Sequence, residues 1–218
     1  MESFKDSEGQ SILKAMVAVV QQNKEYLSQI DGMIGDGDHG VNMNKGFTLF
    51  EERFLKQETG FSQGLENLGD ILLQEIGGSM GPIYGTLFCG MAEEGCGLRE
   101  IGLGDFVKML IKGYEELNDV IEAKPGDKTI IDTLYPALVS LKESEEKGIC
   151  FKEALKRMET AAENGKNSTK DMQAKFGRSS RLGERSIGIL DAGAVSSCII
   201  LTSMAEAIIN LIGTEGER

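Results

Sequence analysis

The chain has 218 residues, of which 35 are acidic and 23 are basic, so its formal net charge is −12. A charge of this sign repels the phosphate backbone of nucleic acids, which excludes a nucleic-acid coat or clamp. Apolar residues make up 40% of the sequence, enough for a sizeable hydrophobic core, so a disordered chain is excluded as well. Four cysteines without a CxxC pair and a single histidine argue against a disulfide scaffold and against a zinc site.

No segment of the sequence predicts a membrane anchor. The first ten residues lack the apolar stretch of a signal peptide. The longest uninterrupted apolar run, residues 15–20, is far shorter than the roughly 20 residues that cross a bilayer. We therefore expect a soluble, cytoplasmic protein that binds neither a membrane nor nucleic acid.

Apolar residues recur at helical spacing along almost the whole chain, with little β-branched alternation, which predicts an all-α protein. Pro82 suits the first turn of a helix, Pro136 is expected to kink its helix or delay its start, and Asp191 is a good N-cap for the last helix. No long or low-complexity linker divides the chain, so we predict a single domain over residues 1–218. The eight predicted helices cover residues 7–30, 41–57, 61–76, 82–95, 103–121, 129–147, 151–170 and 192–212.

The acidic, glycine-spaced connection between the first two predicted helices is the strongest candidate for chemistry. Asp31, Asp36 and Asp38 fall within eight residues there. Three carboxylates held together are unfavourable without a cation, and oxygen ligands suit a hard ion such as Mg²⁺. The alternative is a solvated loop whose aspartates cap the next helix, which would need one aspartate and not three. The connection therefore predicts a magnesium site.

Three more connections carry residues that could hold an anion. Glycine-rich residues 77–82 lead into a helix whose first N–H groups would favour an anion, although a plain helix start fits equally well. Residues 125–129 contain Lys128 and could also form a turn with a helix cap. The basic segment, residues 175–185, has four cations and one acid, and it could bind phosphate, face a partner or be solvated. Neither a Walker A loop nor a GxGxxG strand–helix motif is present, which excludes both standard nucleotide folds.

These four connections each join an odd-numbered predicted helix to the next even-numbered one. In an up-and-down bundle, alternate connections emerge at the same end. We therefore expect them to meet at one rim. Mg²⁺ on the three aspartates, with phosphates bridging to glycine-rich backbone and to Arg178, would make a metal–nucleotide site.

On four motifs the chain resembles the nucleotide-binding L subunit (DhaL type) of dihydroxyacetone kinases. The motifs are, in order, IGDGDHGVNMNKGF, GGSMGPIYGTLF, KPGDKTIID, and GRSSRLGERSIG with DAGA. The resemblance implies a closed antiparallel eight-helix barrel in which Asp31, Asp36 and Asp38 hold two Mg²⁺ ions that bridge the phosphates of ADP or ATP. We predict that Arg178 and Lys128 are the catalytic cations. The residues implied to contact the nucleotide are His39, Gly40, Val41, Asn42, Ser79, Met80, Ile130, Arg178, Asp191 and Gly193.

The resemblance also implies partners. In that family a separate K-type subunit holds a small keto-sugar such as dihydroxyacetone, and the L subunit supplies the phosphoryl group. The nucleotide either exchanges freely or is recharged in place by a phosphotransferase-system donor. The alternatives are a kinase subunit for another small keto-sugar, a non-catalytic Mg–nucleotide sensor or adaptor that docks on a regulator, and a structural bundle. His39 fits a nucleotide contact better than a covalent sugar anchor, so we predict that the chain alone is an incomplete enzyme.

Overall fold

The computed structural model describes residues 2–215, with side chains through Gly213. Within this range nine α-helices are joined by short connections, and three 3₁₀ turns cover Asp6–Glu8, Thr169–Asp171 and Ser179–Ser186. Strands β1 (Ser3–Lys5) and β2 (Glu100–Gly102) form an antiparallel pair. The helices are α1 (Gln10–Gln22), α2 (Lys24–Ile34), α3 (His39–Phe54), α4 (Phe61–Glu75), α5 (Met80–Gly95), α6 (Leu103–Val120), α7 (Ile131–Glu146), α8 (Phe151–Ser168) and α9 (Ala192–Glu215).

The helices form a closed ring around a large apolar core, and a smaller apolar cluster lies between α2 and α9. Each helix packs against the next in chain order, and α9 returns to pack against α1 and α2 as well as α8. Phe47, Phe88 and Leu134, from three different helices, are all buried in this core. This arrangement confirms the predicted all-α fold.

The described helices number nine, and not the predicted eight, because the first predicted helix is broken at Asn23. The side-chain amide of Asn23 donates to the carbonyl of Val19 at 2.8 Å, in competition with the regular helical backbone bond. α1 and α2 together occupy the place of the first predicted helix. α2 also continues four residues past the predicted end at residue 30, so Asp31 lies in its last turn and not in a loop.

Pro136 lies inside α7, which begins five residues earlier at Ile131, so the proline does not set where this helix starts. A proline has no N–H to donate to the carbonyl of Asp132, four residues before it. Gly165 of α8 packs at this point, and a Cβ on Gly165 would lie 2.1 Å from the Asp132 carbonyl oxygen. The absence of a side chain therefore lets α8 approach α7 closely.

α9 is apolar on most of its faces, as its buried position in the ring requires. Among the described residues it is the one helix long and apolar enough to cross a membrane by composition, with a mean hydropathy of 1.8 over residues 192–213. In the fold, 61% of that stretch is buried against other helices. Contact with the neighbouring helices of the ring accounts for this composition.

Candidate functional site

The four connections predicted to share a rim line one cavity of about 570 Å³. They are the connections α2–α3, α4–α5, α6–α7 and α8–α9. Their meeting follows from the alternation of helix direction around the ring. The sequence-predicted residues that line the cavity are Asp31, Asp36, Asp38, His39, Asn42, Ser79, Met80, Lys128, Ile130, Arg178, Asp191 and Gly193.

The three aspartates bring their carboxylates together at this cavity. Their oxygen atoms lie within 4.8 Å of one another, and none of the three residues is buried. Gly35 permits the approach, because a Cβ there would lie 2.3 Å from Oδ1 of Asp31. Partial desolvation raises the pKa of Asp38, and so do the charges of Asp36 and Asp31. Oxygen ligands that repel one another in this way fit a hard divalent cation.

Arg178 faces the acidic cluster from the basic segment. Its guanidinium forms an ion pair with the carboxylate of Asp36, and its charge lowers the pKa of Asp38. Both partners stay accessible to solvent, with 62% of the Arg178 side chain and 33% of the Asp36 side chain exposed. A guanidinium in this position can exchange its carboxylate partner for a phosphate without first leaving a buried site.

His39 belongs to a buried hydrogen-bond network beneath the aspartates. Its Nε2 lies 2.8 Å from Oγ of Ser196, whose hydroxyl is 2.6 Å from the hydroxyl of Tyr84. Tyr84 also donates to the carbonyl of Gly193 at 3.2 Å. Burial lowers the pKa of His39 to about 4, so the imidazole is neutral at physiological pH. Tyr84 and Ser196 were not predicted as site residues, because each lies within a helix of mostly apolar pattern and nothing local links one to the other.

Asp191 caps α9 at the edge of the cavity, as predicted. Its Oδ2 accepts a hydrogen bond from the N–H of Ala194 at 2.7 Å, and its own N–H donates to Oγ1 of Thr169 at 3.1 Å. Burial raises the pKa of Asp191 to about 7, against the lowering effects of the Ala194 bond and of the Lys128 charge. This carboxyl therefore titrates close to neutral pH while the cavity is free of cations.

Lys128 does not occupy the position of a phosphate-binding cation. Its side chain is buried, and its Nζ donates to the carbonyls of Thr169 at 2.7 Å, Ser186 at 2.8 Å and Met172 at 3.2 Å, and also to that of Ile189. An ammonium has three N–H donors, and these four acceptors engage them all. The predicted catalytic contact of Lys128 with phosphate does not fit this geometry.

Gly40 and Val41 are not among the residues that line the cavity. A Cβ on Gly40 would lie 2.0 Å from the carbonyl oxygen of Lys24, so this glycine permits the close packing of α3 on α2. Val41 is 50% exposed on the first turn of α3. The structure thus gives Gly40 a packing role and Val41 an exposed position, and their nucleotide contacts stay predictions.

An apolar set completes the lining of the cavity. Ile130 and Met80 were predicted, whereas the contribution of residues 120–123, which are apolar except for Glu122 and lie at and just after the end of α6, was not. Those residues carry no motif, and only the close approach of α6 to the rim places them there. The cavity thus offers carboxylates, a guanidinium, exposed backbone at glycines and an apolar surface to the same ligand.

Comparisons with known proteins agree with this combination. The DAK2 domain family matches residues 33–206. The chain is 37% identical over 192 residues to the ADP-binding subunit DhaL of the PEP-dependent dihydroxyacetone kinase of Escherichia coli K12, covering 87% of this chain and 90% of that one. It is 31% identical over 211 residues to an L-erythrulose kinase of Pectobacterium atrosepticum, covering 91% of this chain and 34% of that protein.

The fold is also found in a solved structure. The dihydroxyacetone kinase of C. freundii, crystallised with AMP-PNP and Mg²⁺, superposes with a TM-score of 0.70 at 22% sequence identity. The match covers 90% of this chain and 33% of the kinase chain. At this identity the match shows a shared fold.

Proposed function

Because the chain belongs to the DAK2 domain family, we propose that it is the ADP-binding, phosphoryl-transferring subunit of a dihydroxyacetone kinase. The observation that carries the proposal is the placement of three carboxylates and Arg178 at one cavity on the rim of the helical ring. Phosphoryl transfer needs cations and fixed positions around the phosphates more than it needs a nucleophile from the protein. The enzyme is therefore a phosphotransferase that is incomplete without a partner.

The ligands of this cavity are ADP or ATP with Mg²⁺. Asp31, Asp36 and Asp38 hold the metal, because their mutual repulsion is relieved only by positive charge and because carboxylate oxygens are its preferred ligands. We propose two ions, since three carboxylates and the phosphate oxygens provide more ligands than one ion needs. When bound, the metal neutralises phosphate charge and orients the phosphoryl group for transfer.

The nucleotide lies against the residues that line the rest of the cavity. The start of α5 offers backbone N–H groups to a phosphate, because the side chain of Ser79 makes no capping bond. Met80 and Ile130 offer apolar surface to the base. The proposed nucleotide contacts are His39, Asn42, Ser79, Met80, Ile130, Arg178, Asp191 and Gly193, with Gly40 and Val41 in the adjoining first turn of α3.

Arg178 is the catalytic cation in this proposal. When nucleotide is absent it pairs with Asp36, and in the loaded site its guanidinium moves to the phosphates and stabilises the charge that develops there. The neutral imidazole of His39 stays in its hydrogen bond to Ser196 and forms a wall of the site. The protein thus contributes position and electrostatic stabilisation.

The sugar is held by a separate K-type subunit that docks at the same rim. The E. coli relative is named as one subunit of its kinase, which supports a two-subunit arrangement. Met33 and Phe176, which are 62% and 37% exposed beside the acidic cluster and in the basic segment, provide apolar surface for such contact. A relative from Lactococcus lactis is named as the ADP-binding subunit DhaL of a PTS-dependent dihydroxyacetone kinase, which supports a phosphotransferase-system donor that recharges bound ADP. We propose one such domain over residues 1–218 and a cytoplasmic location.

Another small keto-sugar is the second candidate substrate, because the Pectobacterium relative is an L-erythrulose kinase. The residues described above contact the nucleotide and metal and do not distinguish the two sugars. A Mg–nucleotide sensor would use the same cavity and differ in having no turnover.

Two measurements test the proposal. Native mass spectrometry of the purified chain should find ADP carried with it. The chain is then mixed with Mg²⁺, ATP and dihydroxyacetone or erythrulose, with and without a K-type subunit and a phosphotransferase-system donor, and sugar phosphate is followed. We expect product only with the K-type subunit, no product from Asp38→Asn, and normal product from Asp70→Asn, which removes an exposed carboxylate of α4 outside the cavity.

Turnover by the chain alone would refute the two-subunit arrangement. Nucleotide binding without turnover under any of these conditions would favour the sensor. Absence of Mg-dependent nucleotide binding would refute the proposed function itself.

A further inference from the structure

Lys128 is buried at the junction between two of the connections that form the cavity. It is 1% exposed, and its ammonium contacts only backbone carbonyls among its hydrogen-bond partners. Two of these carbonyls, of Thr169 and Met172, precede the basic segment, and the other two, of Ser186 and Ile189, follow it. One side chain of the α6–α7 connection therefore binds both ends of the α8–α9 connection.

We propose that Lys128 is a positioning residue that holds the two ends of the basic segment together and thereby places Arg178 at the cavity. The inference rests on the proposed function only in assigning Arg178 to the phosphates. The hold itself is a property of the chain without ligand, and it gives Lys128 a role other than the catalytic contact that the sequence suggested.

The backbone of Lys128 supports a role for its side chain. With φ of +61°, it is the one non-glycine residue in the left-handed region among residues 2–215. Glycine would adopt this conformation without steric cost, whereas a side chain strains it. We therefore expect the ammonium contacts of Lys128 to stabilise the fold by more than its strained backbone destabilises it.

The turn that carries Lys128 is itself fixed on α7. The carboxylate of Asp132 accepts the N–H of Gly126 at 2.5 Å and the N–H of Thr129 at 2.7 Å. Because both bonds flank Lys128, the base of its side chain is anchored in a helix of the ring. A lysine on a flexible turn could not hold the basic segment in place.

A second contact ties the start of the basic segment to the same turn. Lys175 forms an ion pair with Asp127 at 2.6 Å, and its N–H donates to the Asp127 carbonyl at 3.2 Å. The Lys175 side chain is 60% exposed, so water screens this pair, whereas the neighbouring Lys128 contacts are buried. We therefore expect Lys128 to dominate the hold and Lys175 to add little.

The first test needs neither nucleotide nor activity. Trypsin should cut after the exposed residues Arg178, Arg181 and Arg185 faster when the ends of the basic segment separate, because cleavage needs several residues of extended chain. Removing a hydrogen bond to a charged group changes an opening equilibrium by about tenfold or more, so Lys128→Met and Lys128→Gly should each raise the cleavage rate there by at least about tenfold. The control Lys147→Met removes an exposed cation that pairs with Glu143 and should leave the rate unchanged.

Lys128→Gly also separates the effect of the ammonium contacts from that of the backbone strain, because it relieves the strain while it removes the ammonium. Cleavage as slow as in the wild-type chain for this variant would overturn the inference. If both variants fail to fold, the wild-type chain is pulsed with an amine-acylating reagent and its lysines are compared by mass spectrometry. Lys128 should resist acylation, and exposed Lys124 should react. Equal labelling of the two would also overturn the inference.

The second test asks whether Lys128 acts through Arg178. In the reconstituted kinase, Lys128→Met should lower kcat about tenfold with less than about a twofold change in KM for Mg–ATP. In the Arg178→Ala background the same substitution should change kcat by less than about twofold, because the group it positions is gone. Additive losses would refute positioning and leave a general structural role. If wild type shows no turnover, the proposed function fails while the proteolysis and acylation results still decide the hold.

Discussion

Replacing Asp38 with asparagine should stabilise the metal-free chain and abolish its response to magnesium. The substitution keeps the shape of the side chain and removes one of the three charges at the cavity. Asp38 precedes α3, but its side chain makes no capping bond, so little helix stability is lost. Both effects follow from a carboxylate that is positioned for a cation and repelled by its neighbours.

The size of the stabilisation follows from the separation of the carboxylates. Oxygen atoms within 4.8 Å of one another repel by about 0.9 kcal/mol per pair in bulk water and by about 3.5 kcal/mol at an effective dielectric constant of 20. The side chains are not buried, which favours the lower value, and the loss of attraction to Arg178 offsets part of it. We expect a gain of about 1–2 kcal/mol, or a rise in Tm of about 2–8 °C for a chain of this size.

The pH dependence of the free energy of unfolding should change with the same substitution. The pKa of Asp38 is raised in the folded chain, first by burial and then by the charges of Asp36 and Asp31. Such a carboxyl contributes stability that is complete below its unfolded pKa and is lost as the pH rises through its folded pKa. In Asp38→Asn this loss should be absent.

Thermal and urea unfolding in EDTA, and then with Mg²⁺ and ADP, measures both effects. The variant should unfold later than wild type in EDTA and earlier with Mg–ADP, because bound ligand stabilises only the wild-type chain. The control Asp70→Asn should match wild type in both conditions. A variant that is no more stable than wild type in EDTA, or that gains as much from Mg–ADP, would show that the aspartates are not a metal site.

Three further predictions concern the same rim. The pKa of Asp191 is raised from 3.8 to about 7, so the metal-free chain should lose stability as the pH rises between these values, by about 1.4 kcal/mol for each pH unit. Asp191→Asn keeps an acceptor for α9, and urea titrations at several pH values should find that loss reduced; an unchanged profile would assign it to another group. Arg178→Lys keeps the charge but loses the planar fork, so calorimetry and turnover should show a larger fall in rate than in nucleotide affinity, and a variant as fast as wild type would leave Arg178 a solvated charge. Gly40→Ala should destabilise the chain by about 1–3 kcal/mol in urea, since its Cβ would lie 2.0 Å from a backbone oxygen. Gly77→Ala, which meets no atom within 4 Å, should be close to neutral, and equal effects of the two would contradict the packing role of Gly40.

Periodicity and local motifs were enough to predict most of this fold and the location of the candidate site. Helical spacing predicted the all-α architecture, and the alternation of helix direction predicted that four distant connections share a rim. Local composition also marked Asp31, Asp36, Asp38 and Arg178, because unusual charge in a glycine-rich connection is visible without tertiary structure. These features depend on residues close together in the chain.

The features that sequence reasoning missed depend on contacts between distant segments. The break at Asn23 comes from one side chain that competes with its own helix within a continuous apolar pattern. Tyr84 of α5 and Ser196 of α9 form part of the site because their hydroxyls lie 2.6 Å apart, and this contact joins residues 112 positions apart in the chain. Lys128 lies in a sequence context that is typical of a phosphate-binding lysine. Only the structure shows that its ammonium is buried among the carbonyls of another connection.

The packing of α9 against both α1 and α8 sets the order in which a newly made chain can complete its structure. Synthesis proceeds from the N-terminus, so α1 to α8 leave the ribosome while the gap for α9 is still open. Until α9 arrives, the apolar faces that it covers are exposed to water and to other nascent chains. The cap at Asp191 and the backbone at Gly193 arrive with the same helix, so the proposed nucleotide site should become competent only after α9 has packed. A ligand that binds this site would then act as a selective stabiliser of chains that have closed their ring.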